Sequence, residues 1–365
     1  MSTPTVPGRE LLLKLEGLVV EDGWTVGALV PKQKDQTGGC FSEGYRCRHV
    51  SDREGHFKAI DLHEALGQPD LLAALSRLAD GAQCEQELLG KCKRMDRVVT
   101  MLSYGTIRAV HGTALTIPIP YVIFERANGS IRSIAHARVR PTHEWILRTL
   151  HQVATGLMQL HSEGIAHQDL KQSNILEFSE EQGVKIADLG RAVDRARSVW
   201  YDARPWPGAT AYAPPEVAYG FHQAEFNARR FASDMYLLGS LATALFIGVS
   251  LNALLYQELP QQFRPALFGG PYAGTFESVE AHLHDAYDRV MTNVANCISA
   301  NAPYREQIVA FIRQWCNPDP RLRGHPVTRG ERADGGNIYF LERYVSSLPN
   351  LARRAANYSR QHSPI

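Results

Sequence analysis

The stretch Gly164-Ile165-Ala166-His167-Gln168-Asp169-Leu170-Lys171-Gln172-Ser173-Asn174-Ile175-Leu176 sets Asp, Lys and Asn at i, i+2 and i+5 of a short polar loop with apolar residues on both sides. Ten residues after Asn174 begins a second apolar run that ends in an acid, Val184-Lys185-Ile186-Ala187-Asp188-Leu189-Gly190. Read as chemistry, Asp169 is a base, Lys171 a phosphate-facing cation, and Asn174 and Asp188 are oxygen donors for a hard metal ion. Phosphoryl transfer asks for such a set, because its catalysis is mostly positioning and neutralisation of charge on phosphate oxygens.

The two segments resemble the catalytic and metal-binding loops of the eukaryotic-type (Hanks-type) serine/threonine protein kinases. His167-Gln168-Asp169-Leu170-Lys171-Gln172-Ser173-Asn174 matches the pattern His-Arg-Asp-Leu-Lys-x-x-Asn, with Gln168 in place of Arg. Asp188-Leu189-Gly190 matches Asp-Phe-Gly with Leu189 for Phe, and each motif supplies context for the other. The resemblance implies an α+β, bilobal protein-kinase-like fold. A small antiparallel β-sheet lobe with one main helix would cover residues 1–126, including a leader over 1–22. A larger, mainly helical lobe would cover 127–325, and a linker and helix would follow over 326–365.

Composition fits this. The chain has 365 residues, 44% hydrophobic and 21% charged, enough for two lobes with their own cores. A net charge of +1 gives no bulk attraction to nucleic acid or a membrane surface, and neither is expected as a partner. The six cysteines form no CxxC pair and read as reduced thiols of a cytoplasmic protein. Residues 1–8 hold no apolar core of a signal peptide, and the most apolar run, 235–251, reads as a buried helix rather than a membrane span.

Outward toward the N-terminus, residues 23–30 read as a strand, followed by the glycine cluster Thr37-Gly38-Gly39-Cys40-Phe41-Ser42. Glycines there let backbone N–H groups approach phosphates. The resemblance puts Phe41 at the tip of a nucleotide-covering loop and Gly39 at its second glycine, with Gly38 beside it. Thr37 and Ser42 stand where the family has glycines. Lys58 lies within an alternating apolar strand, where a lysine needs an acidic partner or a ligand phosphate. The resemblance makes it the lysine that holds the α- and β-phosphates, paired with a glutamate on the next helix. Glu85 and Glu87 both qualify by position; Glu85, with Leu88 and Leu89 at i+3 and i+4, shares a flank with core positions and is the expected partner. Further strands are expected over 98–104 and 121–125, with Pro118 and Pro120 marking the start of the second. Phe124 would close the pocket behind the adenine, and the backbone of Glu125 to Ala127 would meet it.

Toward the C-terminus, Thr142 is the expected N-cap of a buried helix carrying Ile146, Leu150, Val153, Leu157 and Leu160. The segment Ala213-Pro214-Pro215-Glu216 resembles the family's Ala-Pro-Glu close of the activation segment. Ala209 stands where a threonine usually contacts the catalytic Asp. Asp234, near the start of the apolar run, matches the Asp that anchors the catalytic loop. Asp319-Pro320-Arg321-Leu322-Arg323 resembles the turn whose arginine pairs with that Glu, so a buried Arg323–Glu216 pair is expected, with Arg321 as the fallback. Residues 250–278 do not align with the family and are a candidate surface for a substrate or a docking partner. An amphipathic helix is expected over 338–357, either packed on the large lobe or docking a partner, and split or kinked at Pro349.

The implied activity is transfer of the γ-phosphate of ATP to a serine or threonine hydroxyl of a protein substrate. Asp169 would be the base, Lys171 the phosphate cation, and Asn174 and Asp188 the ligands of two Mg²⁺ ions. Gln168 carries no charge for an activation-segment phosphate to neutralise, so activity without that phosphorylation is expected. Two other readings use the same residues: a pseudokinase acting as a scaffold or nucleotide-gated switch, and a small-molecule kinase. Glu216 and Asp234 argue against the second.

Overall fold

A computed structural model of the chain describes residues 12–31, 42–61, 65, 68–111, 115–133, 141–198, 200–331 and 336–362, with backbone only at 109–111 and 115–117. Gly38, Gly39 and Phe41, singled out above, lie outside the described residues.

Six antiparallel strands form the first sheet: β1 Val19–Val20, β2 Trp24–Leu29, β3 Ser42–His49, β4 Glu54–Ile60, β5 Met101–His111 and β6 Leu115–Glu125, in the order β1-β2-β3-β4-β6-β5. Alternation decides which side chains face where. Phe57 stands opposite Ile123 and packs on one face with Trp24, Val26, Tyr45 and Tyr121. Lys58 stands opposite Val122 and His56 opposite Phe124, so these four share the other face. The start expected at Pro118 and Pro120 is wrong: β6 begins at Leu115 and runs through both prolines. Each lies opposite a β5 residue, Pro118 to Arg108 and Pro120 to Thr106. The pairing with β4 covers only Tyr121 to Glu125, so among the described residues the prolines have a partner on one edge of β6 alone and no central ladder is broken.

Helix α1, Leu71–Lys91, contacts β5 of this sheet. Its N-cap Asp70 accepts a hydrogen bond from Ala73 N at 3.0 Å, and it buries Cys84, Glu85, Leu88 and Leu89. Helix α2, His143–Ser162, is capped by Thr142, which accepts from Trp145 N at 3.2 Å, and buries all five apolar positions expected of it. Short strands follow: β7 Gly129–Ser130 pairs with β9 Ile175–Glu177, which pairs with β10 Val184–Ile186, while β8 Ile165–Ala166 pairs with β11 Val193–Asp194. The catalytic loop leaves β8 and re-enters β9, and Asp188 follows β10. The two functional loops are therefore the ends of neighbouring strands.

Helices α3 Pro215–Ala218, α4 Ala232–Ile247, α5 Leu251–Glu258, α6 Phe276–Asn296, α7 Arg305–Trp315, α8 Pro326–Glu331 and α9 Glu342–His362 complete the large lobe. Helix α4 is buried nearly all round and stops at Gly248, whose φ of +88° suits a residue without Cβ. Residues 250–278 fold onto this lobe through Leu251, Leu255, Tyr256 and Leu259.

Helix α9 packs its apolar face, Tyr344, Leu348, Leu351, Ala352 and Ala355, into the large core and runs along α2. It starts at Glu342, later than expected, and continues through Pro349 without splitting. Pro349 has no N–H to offer the carbonyl four residues back, at Val345. The Nδ1 of His151 on α2 lies 3.1 Å from that carbonyl and supplies the missing donor.

Glu216 and Arg323 form the expected pair. Nη1 donates to Oε1 at 2.7 Å and Nη2 to Oε2 at 2.6 Å, with Arg323 fully buried and its guanidinium 4.9 Å from the Tyr236 ring centroid. The fallback, Arg321, pairs instead with Asp319 and Glu280 near the surface. Glu216→Gln leaves the buried guanidinium without its counter-charge and should lower unfolding free energy by about 3–5 kcal/mol. Denaturant titration checks this, and an unchanged midpoint would contradict it.

Candidate active site

The loop between β8 and β9 is held from below by one carboxylate. Asp234, fully buried at the start of α4, accepts four hydrogen bonds. Oδ2 takes the backbone N–H of His167 at 2.7 Å and His161 Nε2 at 2.9 Å; Oδ1 takes the backbone N–H of Gln168 at 2.7 Å and its side-chain Nε2 at 2.9 Å. Burial alone would raise the Asp234 pKa. The bond and charge of His161, with His167 and the Gln168 amide, outweigh burial and hold it below the ordinary value. These bonds also hold Gln168 in the left-handed region, at φ +63°. For a residue with a Cβ that conformation costs roughly 1–2 kcal/mol.

The bonds of His167 carry the anchoring onward. Its Nε2 lies 3.0 Å from the Ala187 carbonyl and its Nδ1 3.2 Å from the Asp169 N–H. One tautomer satisfies both, with Nε2 donating and Nδ1 accepting. The Ala187 N–H donates to the Asn174 carbonyl at 2.8 Å, so the two functional loops are stitched together.

Asp169 itself is nearly surrounded. Oδ2 accepts from Lys171 Nζ at 2.7 Å and from Asn174 Nδ2 at 3.0 Å, and Oδ1 accepts from the Ala209 N–H at 2.8 Å. A carboxylate has about four acceptor directions, so one is left for a substrate hydroxyl. The residue at the usual threonine position thus contacts the base through its main chain. Gly208 makes this possible, because a Cβ there would collide with the Gln168 carbonyl oxygen.

On the opposite wall Lys58 Nζ donates to Glu85 Oε1 at 3.2 Å and to Asp188 Oδ1 at 3.1 Å. Burial would lower the Lys58 pKa, but Asp188 and Glu85 outweigh it and hold the ammonium above its usual range. The Lys58 charge in turn holds Asp188 well below the usual carboxylate range, against burial. Glu87, the alternative partner, pairs with Arg197 instead. Lys58, Glu85, Asp169, Lys171, Asp188 and Gly190 all line one cavity of about 660 Å³.

The residues present fit a magnesium ion. Asn174 turns its amide nitrogen toward Asp169, at 2.8 Å from the carbonyl, which leaves its Oδ1 with a weak 3.3 Å contact from Ser173. Asp188 spends one oxygen on Lys58 and stays 36% exposed. Both donors are hard oxygens, as Mg²⁺ prefers.

Phe124 is buried in the core shared with Cys84, Leu88 and Leu89 of α1, and it is not among the residues that line the cavity. Glu125 does more than expected of it: its carboxylate accepts the Thr100 N–H at 2.8 Å and two bonds from Lys185 Nζ at 2.8 Å. That pair ties the segment between the lobes to β10, just ahead of Asp188. Ala127 packs against the large core.

Another feature escaped the sequence reading. His56, two residues before Lys58 and on the same face, lies over Gly44. A Cβ on Gly44 would sit 2.8 Å from the His56 ring, so the glycine makes room for the imidazole. Burial, then the Lys58 charge, lowers the His56 pKa to about 4 from 6.5. The i, i+2 spacing to Lys58 could have revealed it. The unfolded chain takes up this proton near pH 6.5 and the folded chain near pH 4. His56 therefore costs stability as pH falls through that window, by at most about 3 kcal/mol. The wild-type stability curve should drop below that of His56→Gln between pH 6.5 and 4, measured by denaturant unfolding; parallel curves would contradict it.

The protein kinase domain family model matches residues 38–325. The chain is 30% identical over 177 residues to a probable serine/threonine-protein kinase of Corynebacterium efficiens, covering 45% of this chain and 26% of that protein. It is 28% identical over 232 residues to another probable serine/threonine-protein kinase from Streptomyces coelicolor, covering 60% and 33%. Against the maternal embryonic leucine zipper kinase of Xenopus laevis it is 26% identical over 211 residues, covering 54% and 32%. The matched stretches span a third or less of these curated relatives. With the motifs, the fold and this match over most of its length in agreement, the chain belongs to the protein kinase domain family.

Proposed function

We propose that this chain is a serine/threonine protein kinase, transferring the γ-phosphate of ATP to a hydroxyl of a protein substrate with Mg²⁺. The observation that carries this reading is the Asp169 carboxylate, fixed by Lys171, Asn174 and the Ala209 amide, in one cavity with the Lys58–Glu85–Asp188 triad. Asp169 accepts the proton of the acceptor hydroxyl through its remaining lone pair as the oxygen attacks phosphorus and the bond to the ADP oxygen breaks. Lys171, bound to Asp169, carries positive charge to the phosphate undergoing transfer. Lys58, freed from one carboxylate, orients the α- and β-phosphates while Glu85 keeps it in place. Asn174 and Asp188 hold the metal, which when bound neutralises phosphate charge.

The scaffold reading would be favoured by loss of one of these groups, yet every group that meets metal or phosphate is present. The reading also includes activity without activation-segment phosphorylation, supported by the uncharged Gln168. The free thiols of Cys47, Cys84, Cys92, Cys297 and Cys316 fit a reducing, cytoplasmic setting.

Purified wild type incubated with labelled ATP, Mg²⁺ and casein or myelin basic protein should label itself or the acceptor, before and after phosphatase treatment. Asp188→Ala should lose this labelling. Absent labelling with Mg-ATP still bound would overturn the kinase reading in favour of the scaffold, and labelling abolished by phosphatase would overturn phosphorylation independence.

A further inference from the structure

The cation missing at position 168 is supplied from elsewhere. One π-helical turn, Asn227–Phe231, precedes α4 and directs Arg230 toward the catalytic loop. Arg230 is 1% exposed. Its Nη1 donates to Gln168 Oε1 at 3.2 Å, and its Nη2 donates to the Asp202 carbonyl at 3.0 Å and to Asp202 Oδ1 at 2.7 Å. Gln168 returns a bond, from Nε2 to the Arg230 carbonyl at 2.9 Å. Arg229 Nη2 lies 3.8 Å from the same Asp202 oxygen.

A buried guanidinium requires an opposite charge. Asp234 is near, but both its oxygens are occupied by His161, His167 and Gln168, so the ion pair falls to Asp202. Asp202 lies in the turn Trp200–Ala203 of the segment that ends on the base. In that segment Tyr201 donates to the Ala192 carbonyl at 3.0 Å, Trp206 Nε1 donates to the Ala209 carbonyl at 3.1 Å, and the Ala209 N–H reaches Asp169. Two tethers thus hold residues 202–209 across the catalytic loop: a carboxylate on Arg230 at one end and an amide on Asp169 at the other.

We propose that Arg230 is a positioning residue for phosphate transfer. Its pair with Asp202 does with a resident carboxylate what a phosphorylated hydroxyl and a catalytic-loop arginine would otherwise do. It fixes the segment whose Ala209 amide orients Asp169. The inference rests on the kinase reading and accounts for its phosphorylation independence. A merely structural ion pair would affect folding stability but not the turnover of folded protein.

The test uses the full chain carrying Arg230→Gln, Asp202→Asn or the charge-keeping Asp202→Glu. Thermal midpoints, kcat, KM for ATP and hydrogen exchange of residues 200–209 are measured for each. The expected result for Arg230→Gln and Asp202→Asn is faster exchange across that segment. With it goes a fall in kcat of about tenfold or more, the size expected for losing one charge-assisted bond, at a KM for ATP within about twofold of wild type. Asp202→Glu should recover most of the rate. Should Arg230→Gln fail to fold, Asp202→Asn, in a surface turn, decides the matter alone. Unchanged exchange and kcat in Asp202→Asn would overturn the inference. A wild type that transfers no phosphate would overturn the kinase reading, while exchange in Asp202→Asn would still decide whether the pair fixes the segment.

Discussion

The buried carboxylate of Asp234 is the interaction on which the rest of the site depends. Among the described residues no lysine or arginine bonds to it, and its charge is balanced by four donors: the main chains of His167 and Gln168, the Gln168 side-chain amide and His161. Such bonds, made to a charge in a low-dielectric interior, are individually worth about 1.5–3 kcal/mol. They offset the left-handed backbone of Gln168 and set the direction in which the next residue, Asp169, leaves the loop. Through His167 and Ala187 the same network reaches the loop of Asp188, which is also left-handed at φ +64°. Strained non-glycine residues collect at functional sites when their surroundings over-determine them. Here those surroundings are the helix α4 and the strands β8 to β10.

Within the cleft, charges are satisfied pairwise before any ligand arrives: Lys58 by Glu85 and Asp188, Lys171 by Asp169. Pairing spares these ions the larger cost of a lone buried charge. The arrangement is stiff on the large-lobe side, where α4 and the Glu216–Arg323 pair lie deep in the core. Lys58, by contrast, sits on a strand of the small lobe and reaches the other wall only through its side chain.

What was legible in the sequence was what local order encodes. The motifs of the catalytic loop and the Asp188 turn, the cap at Thr142 and the apolar stripe of α2 are all written in residues a few positions apart, although the loop is held in place by the distant Asp234. That Lys58 pairs with a glutamate of the next helix came from likeness to the family, and helical geometry then favoured Glu85 over Glu87. The Arg323–Glu216 pair, 107 residues apart, was legible only through likeness to a family. Residues that meet by tertiary placement left no such mark. Nothing in the run from Trp200 to Ala203 announces that Asp202 will find Arg230, and nothing near Pro349 announces that His151 will replace its missing N–H. Pro118 and Pro120 misled because local chemistry says strand end, whereas at these positions β6 pairs with β5 alone among the described residues, which makes them harmless.

The most direct measurement is phosphate transfer by Asp234→Asn beside wild type, with folding monitored by circular dichroism. Asparagine keeps the shape but offers one acceptor oxygen and an NH₂ group to four donors. For the proposed kinase, the folded variant should keep its Mg-ATP affinity while transfer falls by about a hundredfold or more, the loss expected when two charge-assisted bonds are broken. Transfer at the wild-type rate would contradict the claim that this carboxylate holds the catalytic loop in its working form.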